Sequence, residues 1–276
     1  MPRATITFST AIGLTLILLG TIGLVAGIAF SSTIPALIGL GLVFWGIILT
    51  YVQTNEYIKK EILDSTATTL LTTLNETMET LEYKGKVVYL PPKYLNDPET
   101  TKIYIPKSET EPLPTPDATR KLEMQPSHKN AQGILVTSPA AELMKLFETT
   151  LGTSFLNTNL QDLQQRLPKA LIDDLEVVTD LEIKPLTEKE TEPPTEQTQI
   201  DSNKVQIKYT TTAYRNTCKL SAKLKTINSN IGCPLTSALA SALTKTTGKP
   251  IIIENEQTSE DGGTTQVEYV ILKEET

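Results

Sequence analysis

The chain has 276 residues, with 32 acidic against 25 basic side chains for a net charge of −7, one histidine and two cysteines. That balance disfavours nucleic-acid binding, which rests on clustered Lys and Arg. One histidine and two cysteines cannot assemble an intrachain zinc tetrahedron of the usual kind, so no metal site and no cofactor is expected.

Residues 6–30 and 34–52 contain no charged side chain, and every acidic residue lies after them. About 20 apolar residues in helical form cross a bilayer core. The pattern therefore predicts a two-helix transmembrane hairpin over residues 1–52. A secretory signal has an apolar region of about 15 residues and then a cleavage site; here the run is longer and a second follows at once. Arg3 precedes the first span, and Lys59 and Lys60 follow the second. Positive charge stays inside, so both termini are expected in the cytoplasm of a two-span membrane protein.

Gly13, Gly20 and Gly27 recur at heptad spacing, as do Gly39 and Gly46, and Gly23 forms a GxxxG with Gly27. Small residues let helix backbones approach closely in lipid. They fit either packing within the hairpin or a homo-oligomer contact. Neither span carries an ionisable group, so no ion or proton path has a candidate. The hairpin reads as an anchor.

No Gly or Pro occurs between Gly46 and Gly85, which predicts a helical stalk over residues 53–82. Leu63, Leu70, Leu74 and Leu81 fit an a/d spacing with Ala67, and Met78 sits one place off register. The stripe can self-associate as a coiled coil or dock on the domain behind it. Residues 83–107 then hold short strands around Val87–Leu90 and Ile103–Ile105, and 108–132 reads as a polar, Pro-containing linker.

Residues 133–276 predict a mixed α+β domain. Its strands include one with clean alternation at Val205, Ile207 and Tyr209. Its helices are one opened by Ser138 and Pro139, one capped by Asn159, one bearing Leu220, Leu224 and Ile227, and one opened by Gly232-Cys233-Pro234. An acidic loop over 185–203 interrupts it. Asp261-Gly262-Gly263 marks a terminal hairpin.

The runs Gly133-Ile-Leu-Val-Thr-Ser-Pro, Leu143-Met-Lys-Leu-Phe-Glu and Gly232-Cys-Pro-Leu-Thr-Ser-Ala-Leu-Ala are similar to a family of archaeal membrane proteins with no assigned activity. The last third also resembles the 4-vinyl reductase-like small-molecule-binding domain, with its Cys-Pro helix start and terminal hairpin. That resemblance implies small-molecule sensing around Gly232, Cys233 and Pro234. The chain departs from it in having no cysteine after Cys233.

Cys233 at a helix start has the setting of a reactive thiol, although free cysteine is usually packed in a core. Backbone N–H groups there are also placed for an anionic ligand. His128 lies in the polar linker, and no Gly-x-Ser-x-Gly, Walker loop or Gly-x-Gly-x-x-Gly occurs. The expectation is a membrane-tethered cytosolic module without catalytic activity that recruits a protein partner or small ligand. The alternatives are a structural membrane-organising protein, or a thiol enzyme using Cys233. Expected partners are the lipid bilayer, a second copy through hairpin or stalk, and an unidentified protein or small molecule.

Overall fold

A computed structural model describes residues 8–30, 32–51, 60–124, 133–186 and 204–273. Arg3, Lys59, the first part of the stalk, His128 and the acidic loop from residue 187 lie outside the described residues, and for Leu63 only the backbone is described. The chain divides into two compact units, Met1–Lys59 and Lys60–Thr276.

The first unit is a pair of helices, α1 (Phe8–Ala29) and α2 (Thr33–Tyr51). Both are long and apolar enough to cross a membrane. Leu18, Ile22, Ile28, Phe44 and Trp45 point outward and are more than half exposed. The helices touch through their glycines. A Cβ at Gly20 would lie 2.7 Å from the Gly39 carbonyl, one at Gly27 2.7 Å from Ala36, and one at Gly46 2.7 Å from Ile17. Gly23 faces the Gly39 Cα, and Gly13 faces Thr50. At Gly13, Gly20, Gly27 and Gly46 these approaches leave no room for a side chain unless the neighbouring helix shifts, and at Gly23, 3.2 Å from the Gly39 Cα, the neighbour would have to give by a few tenths of an ångström.

The second unit begins with α3 (Lys60–Thr80), the segment read from sequence as a stalk. Its inward stripe is Leu71, Asn75 and Met78, with Leu74 partly buried against the core, while Leu70 and Leu81 are 61% and 51% exposed. The heptad through Leu70 and Leu81 is thus corrected by one position. Asn75 faces inward, and its amide N–H donates to Glu79, 2.8 Å away. Asn216 Nδ2 donates to Asp64 (2.7 Å) and Thr226 Oγ1 to Glu79 (3.3 Å). Helix α3 therefore docks on the domain.

The described strands form one seven-stranded antiparallel sheet in the order β3-β2-β1-β6-β7-β5-β4. They are β1 (Val88–Tyr89), β2 (Lys102–Pro106), β3 (Gly133–Thr137), β4 (Asp180–Leu186), β5 (Lys204–Thr210), β6 (Ile251–Thr258) and β7 (Thr264–Ile271). The short strands of 83–107 are thus part of the main sheet. Pro185 and Leu186 extend β4 rather than opening the loop. The segment read as a linker contains α4 (Pro116–Met124), and Leu113 and Leu122 pack on a small core with Tyr94 and Tyr104.

The remaining helices cover the other face: α5 (Ala141–Leu151), α6 (Leu160–Lys169), α7 (Arg215–Lys223), α8 (Lys225–Asn230) and α9 (Pro234–Thr247). Helix α5 starts at Ala141 with Ala140 as its N-cap, two residues after Pro139; the Ser138 carbonyl accepts from Ala141 N–H. Asn159 caps α6 through its side chain, 2.8 Å from Asp162 N. The helix expected over Leu220 to Ile227 is broken at Leu224, whose extended backbone separates α7 from α8. Helix α9 is buried from Leu235 to Lys245, and its Ala and Ser residues let it lie between the sheet and α5. The main core therefore sits between the sheet and these helices.

Candidate functional site

Gly232 closes α8 at φ +73°, donating to the Ile227 carbonyl at 2.8 Å. Cys233 is then the extended N-cap of α9, with Pro234 at its first position. A left-handed glycine followed by a proline without an N–H turns the chain sharply into a new helix. The three residues come together as the sequence places them, and Cys233 is fully buried.

Around Cys233 and the start of α9 the fold gathers side chains from five other elements. Tyr209 of β5 sets its hydroxyl 3.0 Å from the Cys233 sulfur, 2.8 Å from Thr236 Oγ1 and 3.9 Å from the sulfur of Cys218 on α7. Glu256 of β6 accepts from the Cys233 N–H through Oε1 at 3.4 Å, and its Oε2 meets no hydrogen-bond donor at bonding distance among the described residues. Tyr269 Oη donates to the Thr236 carbonyl (2.9 Å) and Tyr89 Oη to the Ile231 carbonyl (3.0 Å). Three tyrosines from three strands thus hold the start of α9.

Glu256 points inward because of a register shift in β6. Ile251 and Ile253 face the core, a bulge follows between Ile253 and Asn255, and the next inward residue is Glu256. Bulges re-aim side chains in this way. The carboxyl occupies the space beside Gly232: a Cβ on that glycine would collide with Oε2.

Two of the positions that the sequence offered to an anionic ligand supply no free N–H. Pro234 has no N–H, and that of Cys233 is already held by a carboxyl of the same chain.

Electrostatics bind the group together. Burial opposes ionisation of Cys233, but hydrogen bonds, first from Cys218 and then from Tyr209, outweigh it and bring the thiol down to about 6. The Cys218 thiol is pushed up, first by its bond to Cys233 and then by burial. Burial raises Glu256 well above its ordinary value, with Cys233 adding to the effect. Tyr209 is raised by burial and then by Cys233.

Two surface hollows, of about 150 and 280 Å³, lie elsewhere. Lys86, Tyr104, Glu109 and Glu111 are among the residues of the first, and Lys208, Gln257 and Gln266 of the second. No residue of the Cys233 cluster lines either. Glu256 and Thr236 carried no signal in the sequence. Glu256 sits in a polar tail of its strand, and only the bulge turns it inward.

A family model described as a domain of unknown function, DUF7982, matches residues 3–270. The chain belongs to that family. The DUF7982 match spans both units, so hairpin and domain are one family's architecture. No curated protein and no solved structure matches the chain.

Proposed function

We propose that this DUF7982 protein is a membrane-anchored recruitment module, with its two-span hairpin in the bilayer and its α+β domain in the cytoplasm, where it binds a protein partner. The observation that carries this reading is the lipid-length apolar surface of α1 and α2, joined to a domain with its own core. Arg3 before the hairpin and Lys59 and Lys60 after it favour the cytoplasmic placement of both ends. The two hollows described above, of about 150 and 280 Å³, are small against the roughly 300–1,000 Å³ of typical small-molecule sites, which favours a protein partner over a small ligand at those places. The outer face of β4, β5 and β7 exposes Glu182, Lys184, Lys208 and Gln266, a mixed-charge surface suited to a polar interface.

Alkaline washing of membranes tests the anchor: the full chain stays in the pellet, and a chain beginning at Lys60 is released. A C-terminal reporter active only in the cytoplasm tests orientation. A photo-crosslinking residue at Lys208 or Gln266 tests recruitment in intact cells. A discrete adduct supports it, and no adduct from either position counts against a partner on this face. The thiol-enzyme reading is not favoured, because the Cys233 sulfur is fully enclosed.

A further inference from the structure

The sheet ends in two strands of opposite character. At one edge, β4 carries the exposed charges Asp180, Glu182 and Lys184 and then Pro185. At the other, β3 reads Gly133-Ile134-Leu135-Val136-Thr137, with no charge, no proline and no register shift against β2. Charges, prolines and bulges are what keep an edge strand from pairing with another chain. Strand β4 has such devices and β3 has none.

The ladder fixes which backbone groups of β3 point outward. The Ser138 N–H donates to the Thr101 carbonyl at 2.9 Å. Bonded and non-bonded pairs alternate along an antiparallel ladder. With Val136 opposite Ile103 and Ile134 opposite Ile105, the N–H and C=O groups of Ile134 and Val136 turn to β2. Those of Gly133, Leu135 and Thr137 turn away from it, and no described strand lies beyond them. The side chains are incompletely covered as well. Ile134, Leu135 and Val136 are each half-buried, the first and last against the main core and Leu135 against the small one. Both cores reach this edge without being closed there.

We propose that β3 pairs antiparallel with β3 of a second copy, so that the two sheets become continuous. The residue pattern selects this occupant. A two-fold axis at Leu135 sets Leu135 against Leu135 and Gly133 against Thr137 in bonded pairs, each exchanging both backbone bonds. On the helix-covered side Ile134 meets Val136 of the other copy, and on the outer side Leu135 meets its own counterpart. The strand is complementary to itself, as an isologous contact requires, and no charge is brought against charge. The polar face of β4, β5 and β7 lies toward the opposite edge and stays free for the protein partner proposed above.

The test uses the full chain. L135C is oxidised in isolated membranes, where the native Cys218 and Cys233 are buried and give little background. Across the axis the two Cα atoms lie roughly 5.5 Å apart, within the roughly 4.4–6.8 Å that a disulfide spans. The expected result is a covalent dimer on a non-reducing gel. T137C should give none, because two copies of that residue lie roughly 13 Å apart along the strands. Native mass spectrometry from mild detergent should show a dimer for the wild type and its loss in T137P, which removes an outward N–H at an exposed position and spares the ladder to β2. No dimer from L135C, or equal dimer from L135C and T137C, overturns the proposal. Where L135C departs from the wild type by circular dichroism, the mass comparison decides. Loss of the dimer in a folded T137P sustains the β3 contact. A monomeric wild type overturns it, as does a dimer that T137P leaves intact, which places the contact elsewhere in the chain.

Discussion

At Gly232 a single missing Cβ holds the helix junction and the carboxyl cluster together. The residue has φ +73°, and an added Cβ would meet Glu256 Oε2 and lie 2.6 Å from Thr236 Cγ2. G232A should therefore destabilise the domain by at least about 1–3 kcal/mol, the range for left-handed backbone on a non-glycine residue, read by denaturant unfolding. Glu256 makes a prediction in pH. Its folded-state pKa is raised above the ordinary 4.5 by burial and then by Cys233. A raised value contributes stability below the unfolded pKa and loses it as pH climbs toward the folded one. Cys233, lowered to about 6, runs the other way, losing stability as pH falls toward that value. In E256Q the amide stays neutral, so the variant should gain on the wild type as pH rises above the ordinary carboxyl value of 4.5 toward the raised folded-state value. Parallel unfolding free energies across that range would show that the carboxyl ionises freely in the folded chain.

Among the elements, α3 separates pattern from packing most clearly. Heptad spacing picks out Leu70 and Leu81, yet the buried positions are Leu71 and Met78. L71A or M78A should cost about 2–5 kcal/mol, as large-to-small changes in cores do. L70A and L81A should stay within about 0.5 kcal/mol. Chemical denaturation of the four variants distinguishes the docked face from a free coiled-coil stripe. In the hairpin, G20V or G39V should force α1 and α2 apart, because a Cβ at either position falls within 2.7 Å of the opposite helix. G41V, where a Cβ meets nothing within 4 Å, should leave them in place. Pulsed electron paramagnetic resonance between labels on the two helices reads the spacing directly.

On the scale of the whole molecule, the boundary between units falls at Lys60, not after the stalk. A chain from Lys60 to Thr276 should unfold in one cooperative transition, whereas one starting at Glu82 lacks Leu71 and Met78 and should lose that cooperativity. Scanning calorimetry distinguishes them. Sequence alone determined the apolar hairpin with its glycine spacing, the α+β class, the Asn159 cap, the Gly232-Cys233-Pro234 helix start and the terminal β6–β7 hairpin. Each of these is written locally, in hydrophobic period, a capping side chain or a turn residue. Only the tertiary structure decided that α3 belongs to the domain, that α4 packs a second small core, and that Glu256 faces Cys233. Those outcomes depend on contacts between residues far apart in the chain and on one extra residue in β6 that reverses the inside–outside phase. No local pattern encodes them.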